Sequence, residues 1–122
     1  MALALNIMRG GTPPFQARAF NGAIATGLTA AGTTLATALD LTADTNVLGT
    51  VAASSGVSLP ACEIGDSLEI YNGGANACTV YPNTSSEQIN GLVAGNGFLL
   101  ATNTACFCRK ITSTRWVAFL SA

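Results

Sequence analysis

Apolar positions in this chain alternate with polar ones in short runs and do not recur every three or four residues. The clearest run is 65–82. Leu68 and Ile70 alternate with Ser67, Glu69 and Tyr71, and Cys78 and Val80 alternate with Ala77, Thr79 and Tyr81. That is the period of half-buried strands. Asn72-Gly73-Gly74-Ala75-Asn76 lies between them, residues that tolerate the backbone of a reversal. The stretch therefore predicts a β-hairpin. One face carries Leu68, Ile70, Cys78 and Val80 into a core, and the other shows Glu69, Tyr71, Thr79 and Tyr81.

The same reading places short strands at 34–41, 46–52, 56–59, 88–92, 97–101, 105–112 and 115–120. The last two are joined by a tight turn at Thr112-Ser113-Thr114. Turn clusters such as Ala94-Gly95-Asn96-Gly97 separate the strands at intervals typical of all-β domains. In the final strand Trp116, Ala118 and Leu120 face one way and Arg115, Val117 and Phe119 the other. Both faces are largely apolar, which predicts a strand covered on both sides, by a second sheet and by a neighbouring subunit. Tyr71, Tyr81, Val117 and Phe119 are the candidate subunit-interface residues. The fold class expected is all-β, an antiparallel β-sandwich or barrel over 34–122.

Residues 1–33 lack a sustained period. They hold Gly10-Gly11, Pro13-Pro14 and scattered large apolar side chains, with Arg9 and Arg18 and no acid. This segment carries +2 while the remainder carries −3. Disordered tails are poor in large apolar residues, so an extended arm ordered by contact with a partner is expected. Its docking residues would be Leu3, Leu5, Ile7, Arg9, Phe15, Arg18 and Phe20.

Composition sharpens this picture. Only 9% of the 122 residues are charged, while 49% are apolar, far from the usual quarter charged. Scattered charge keeps soluble surfaces apart, so a surface this poor in charge is expected to be covered by other subunits. The sole adjacent basic pair is Arg109-Lys110 and net charge is −1, which lacks the electrostatic footprint of nucleic-acid binding. Residues 19–39 are uncharged, but their glycines, threonines and Asn21 make a poor membrane span. The N-terminus lacks the basic region of a signal peptide.

No histidine is present, which removes the commonest general base and metal ligand. Asp40 with Asp44, and Glu63 with Asp66 and Glu69, fall in turn-like contexts where Asp caps backbone donors. No alternation of oxygen ligands suggests a calcium loop. Cys62, Cys78, Cys106 and Cys108 lack a C-x-x-C spacing and are expected to be free thiols filling a core. Neither an enzymatic activity nor a cofactor or metal is expected.

Several phrases taken together resemble a diffuse group of small tailed-bacteriophage virion proteins, seen as capsid decoration (cement) proteins and as fibre modules. They are Gly27-Leu28-Thr29-Ala30-Ala31-Gly32-Thr33-Thr34, Gly56-Val57-Ser58-Leu59-Pro60, Gly65-Asp66, Val80-Tyr81-Pro82, Ile89-Asn90-Gly91 and Arg115-Trp116. The resemblance implies a jelly-roll-like sandwich, a homotrimer, and attachment to the major capsid protein of a virion made in the host cytoplasm. It also implies, as the alternative function, a fibre or tail adhesion module that binds carbohydrate, for which Tyr71, Tyr81 and Asn83 are candidates. Residues 1–26 lie outside the resemblance.

Overall fold

A computed structural model describes residues 23–121. The protein is all-β. Its strands are β1 (Ile24–Thr29), β2 (Leu39–Asp40), β3 (Thr45–Thr50), β4 (Gly56–Ser58) and β5 (Ser67–Asn72), followed by β6 (Cys78–Tyr81), β7 (Gln88–Ile89), β8 (Phe98–Leu100), β9 (Thr104–Thr112) and β10 (Arg115–Leu120), with one 3-10 turn at Leu35–Thr37. A six-stranded sheet runs in the order β1-β3-β5-β9-β10-β7, and a four-stranded sheet in the order β2-β4-β6-β8.

Through β6 the chain alternates between the two sheets, so β1-β2, β3-β4 and β5-β6 are successive coils stacked in parallel. The architecture is that of a short β-solenoid. The antiparallel jelly-roll expectation is corrected on this point: among the described strands only β5/β9, β9/β10 and β6/β8 pair antiparallel. These antiparallel strands close one end of the stack. Among the described residues the other end is formed by β1 and β2, each an outermost strand of its sheet.

The expected hairpin at 65–82 is also corrected. Both strands form and both bury the expected residues, yet β5 and β6 lie in different sheets. Gly73–Ala77 is an arch that carries the chain across the core. Asn72, at the corner and fully buried, makes the arch. Its Nδ2 donates to the carbonyls of Asn76 and Leu100, both at 2.9 Å, and its Oδ1 accepts the Gly74 N–H at 2.9 Å. The Asn76 amide in turn donates to the Val51 carbonyl of the coil below, at 2.9 Å. A Cβ on Gly74 would stand 2.6 Å from Val51 Cγ2 and 2.8 Å from the Val51 nitrogen, so glycine is required by space.

One core lies between the sheets. Leu48, Leu68, Ile70, Cys106, Cys108 and Trp116 enter it from the larger sheet, and Val57, Cys78, Val80 and Leu100 from the smaller. The predicted β9–β10 hairpin is present, with Phe119 opposite Phe107 and Val117 opposite Arg109. In β10 Trp116 and Ala118 are buried as expected, while Leu120 at the strand end remains exposed.

The boundary expected at residue 33 moves. β1 falls inside the predicted arm and pairs with β3, and Ala31 bridges to Gly56. The strand escaped the alternation test because Gly27, at φ 65°, breaks its register with β3. Leu3, Leu5, Ile7, Arg9, Phe15, Arg18 and Phe20 lie outside the described residues.

Candidate assembly surface

Pleating sends alternate side chains of the six-stranded sheet outward, and the register shows which ones become neighbours. One outward row, read across five strands, is Ile24, Thr45, Glu69, Phe107 and Phe119. The next row joins Val47, Tyr71 and Ala105, and a third joins Ser67, Arg109 and Val117. Phe107 and Phe119 contact with ring centroids 6.3 Å apart at a tilt of 40°, a favourable aromatic arrangement. Beside them lies a shallow depression of about 260 Å³ lined by Glu69, Phe107, Phe119 and Leu120. Phe119 is 61% exposed and Ile24 69% exposed. The surface is therefore a pleated apolar face carrying Glu69 and Arg109.

Three of the four candidate interface residues, Tyr71, Val117 and Phe119, come together on this face. Tyr81 does not. It lies on the outside of the four-stranded sheet, its ring against Gly56, where an added Cβ would stand 2.8 Å from Tyr81 Cε2. Its hydroxyl donates to the Thr33 carbonyl at 3.0 Å. Tyr81 thus seals its own chain. The separation also takes Tyr71 and Tyr81 out of any shared sugar-stacking platform. Phe107, which the interface prediction omitted, completes the face; its alternation with Cys106 and Cys108 was the available signal.

The side chains of Asp40, Asp44 and Asp66 are engaged in structural bonds. A cleft of about 430 Å³ is lined by Asp44, Cys62 and Asp66. There Asp44 Oδ2 accepts the Ala23 N–H at 2.9 Å, a tie across 21 residues, and Asp66 Oδ2 accepts the Glu63 N–H at 3.0 Å, a local turn cap. Asp40 Oδ1 accepts from Ser58 Oγ at 2.6 Å. Burial, then the charge of Asp66, raise the Cys62 thiol above its ordinary value of 9.0, which leaves less of the thiolate that nucleophilic chemistry needs. Among the described residues no group of three or more His, Cys, Asp or Glu could hold a metal ion.

All four cysteines are free, and Cys78, Cys106 and Cys108 are buried. Burial pushes the Cys78 thiol up to about 11. The Cys108 thiol is raised by its contact with Cys106, Sγ to Sγ 3.9 Å, and then by burial. Raised thiols of this kind are inert core filler.

A buried polar group that spacing could not foretell closes the β7 end of the sheet. Trp116 Nε1 donates to Glu87 Oε1 at 2.7 Å. Lys110 Nζ stands 3.7 Å from Glu87 Oε2 and 6.0 Å from the Trp116 ring centroid. All three side chains are buried. The residues come from β9, β10 and the segment before β7, and each satisfies or neutralises another.

Comparison with protein-family models, with curated proteins and with solved structures returned no match for this chain. Among the described residues no helix is long and apolar enough to cross a membrane.

Proposed function

We propose that this protein is a structural component of a phage particle, a decoration protein that seats as a homotrimer on the head and reinforces it. The observation that carries the reading is the apolar outer face of the six-stranded sheet, centred on Tyr71, Phe107, Val117 and Phe119. A sheet already filled on its inner side gains nothing for its own core from aromatics on the outside. Such a face is stabilised when a neighbour covers it, as specific interfaces of more than ~1,000 Å² do. The neighbours in this reading are a second copy and the major capsid protein. The reading assigns the protein no catalytic role and does not depend on a jelly roll, since the coiled core presents an equally continuous outer face.

A second reading, a fibre or tail module that binds carbohydrate, draws on the exposed Tyr71, whose hydroxyl lies 3.4 Å from Asn103 Oδ1. An aromatic beside an amide is a chemistry sugars use. Imaging of purified particles separates the two. Density for the protein in threes on the head surface is expected, density on fibres supports the second reading, and absence from the particle overturns both.

A further inference from the structure

We propose that Asn90 closes the β10 edge of the six-stranded sheet against strand addition by another copy of this chain. Its side-chain amide stands in for the backbone that would continue β7 along β10. This goes beyond the functional reading above and does not rest on it.

The first observation is where β7 stops. Among the described residues β7 is the outermost strand on this side, and it pairs with β10 in parallel for only two residues, Gln88 with Arg115 and Ile89 with Trp116. The Gln88 N–H donates to the Thr114 carbonyl at 2.8 Å and the Asn90 N–H to the Trp116 carbonyl at 2.9 Å. A parallel ladder would continue with the Ala118 N–H on the carbonyl of residue 90, and the N–H of residue 92 on the Ala118 carbonyl. The backbone turns away instead. Asn90 stands at φ 54°, a left-handed conformation that asparagine tolerates, and the Leu92 N–H goes back to the Ile89 carbonyl at 3.1 Å.

The Asn90 side chain takes both vacated places in the ladder. The Ala118 N–H donates to Asn90 Oδ1 at 2.9 Å, and Asn90 Nδ2 donates to the Ala118 carbonyl, more loosely, at 3.4 Å. The primary amide carries one acceptor and one donor group side by side, as a peptide unit does. A strand only two residues long is thereby extended by one ladder position without offering a longer edge of its own.

The second observation is what the amide covers. Trp116-Val117-Ala118-Phe119-Leu120 is an uncharged, proline-free apolar run, and Phe119 and Leu120 are exposed. Short apolar windows of this kind on an open edge are the ones that pair with other chains. Ala118 and Leu120 alternate onto the β7 side of β10. With Asn90 in place, only Leu120 at the strand end lies beyond reach on that edge. Without it, two successive ladder positions stand open in the most apolar strand of the sheet.

Sedimentation velocity and amide hydrogen exchange on the full chain test this. Asn90→Gly leaves the backbone free to adopt the same φ and removes the amide. The Ala118 N–H should then exchange at least roughly tenfold faster in dilute solution, and species larger than the parent's should appear as the concentration is raised. Adding Leu120→Lys should return the size to the parent's, because a charge on an edge opposes pairing. Asn90→Asp, which keeps the acceptor and charges the edge, should stay at the parent's size. An Asn90→Gly chain of the parent's size at every concentration would overturn the proposal, as would unchanged exchange at Ala118. So would larger species that persist with Leu120→Lys, which would place the new contact elsewhere. Each variant is read against the parent's own size, so the result is independent of whether the parent is a trimer.

Discussion

Replacing Asn72 by alanine removes three hydrogen bonds at 2.9 Å from a fully buried corner. Each such bond contributes about 0.5–1.5 kcal/mol net, and a buried donor left without a partner costs about 1–3 kcal/mol by itself. The Gly74 N–H is such a donor, since Gly74 is held in place against Val51. The expected loss is therefore about 3 kcal/mol, a large part of the ~5–15 kcal/mol by which a domain is stable. Asn76→Ala removes a single bond from an exposed residue and should cost about 1 kcal/mol. Asn72→Asp should be at least as harmful as Asn72→Ala, because one carboxylate oxygen would face the Asn76 and Leu100 carbonyls. Urea unfolding followed through the fluorescence of Trp116, the single tryptophan, measures all three with the slope as a check on the unfolded state. A loss for Asn72→Ala no larger than that for Asn76→Ala would refute the claim that this side chain holds the arch.

Three further outcomes follow from the buried groups. Glu87→Gln keeps an acceptor for Trp116 but leaves Lys110 a buried unpaired charge, so unfolding should become easier by about 3 kcal/mol; adding Lys110→Met should recover much of that loss in a double-mutant cycle. Gly74→Ala should cost about 1–3 kcal/mol through the clash with Val51, and a neutral result in thermal melts would contradict the packed arch. Because the folded state holds the Cys78 proton more tightly than the unfolded state, its contribution to stability is complete below pH 9.0 and is lost as pH rises toward about 11. Stability measured across that window should therefore fall less steeply in Cys78→Ala than in the parent, and identical slopes would contradict the assignment.

Alternation along the chain made the faces legible but not the partners. Leu68, Ile70, Cys78 and Val80 point inward whether β5 and β6 form a hairpin or an arch, so the pattern could not distinguish the two. The deciding residue was Asn72, which continues the inward period of Leu68 and Ile70 with a polar side chain. A buried amide at a strand end marks a corner that backbone groups must satisfy. β9 and β10 were read correctly because a tight turn leaves two long strands little choice but to pair. β1 was missed because Gly27 interrupts its alternation and only Ala25 and Leu28 turn partly inward. The Trp116–Glu87–Lys110 group joins residues 23 to 29 apart in sequence, a contact that only the sheet order creates. On the candidate surface, outward alternation found Tyr71, Val117 and Phe119, and failed for Tyr81 because the two tyrosines belong to opposite sheets.

The most direct test of the assembly reading is sedimentation equilibrium of the full chain beside Phe119→Lys. The apolar outer sheet face predicts a stable trimer at micromolar concentration for the parent and a shift toward monomer for the variant, with the fold unchanged by circular dichroism. A parent chain that sediments as a monomer throughout that range would contradict the central claim.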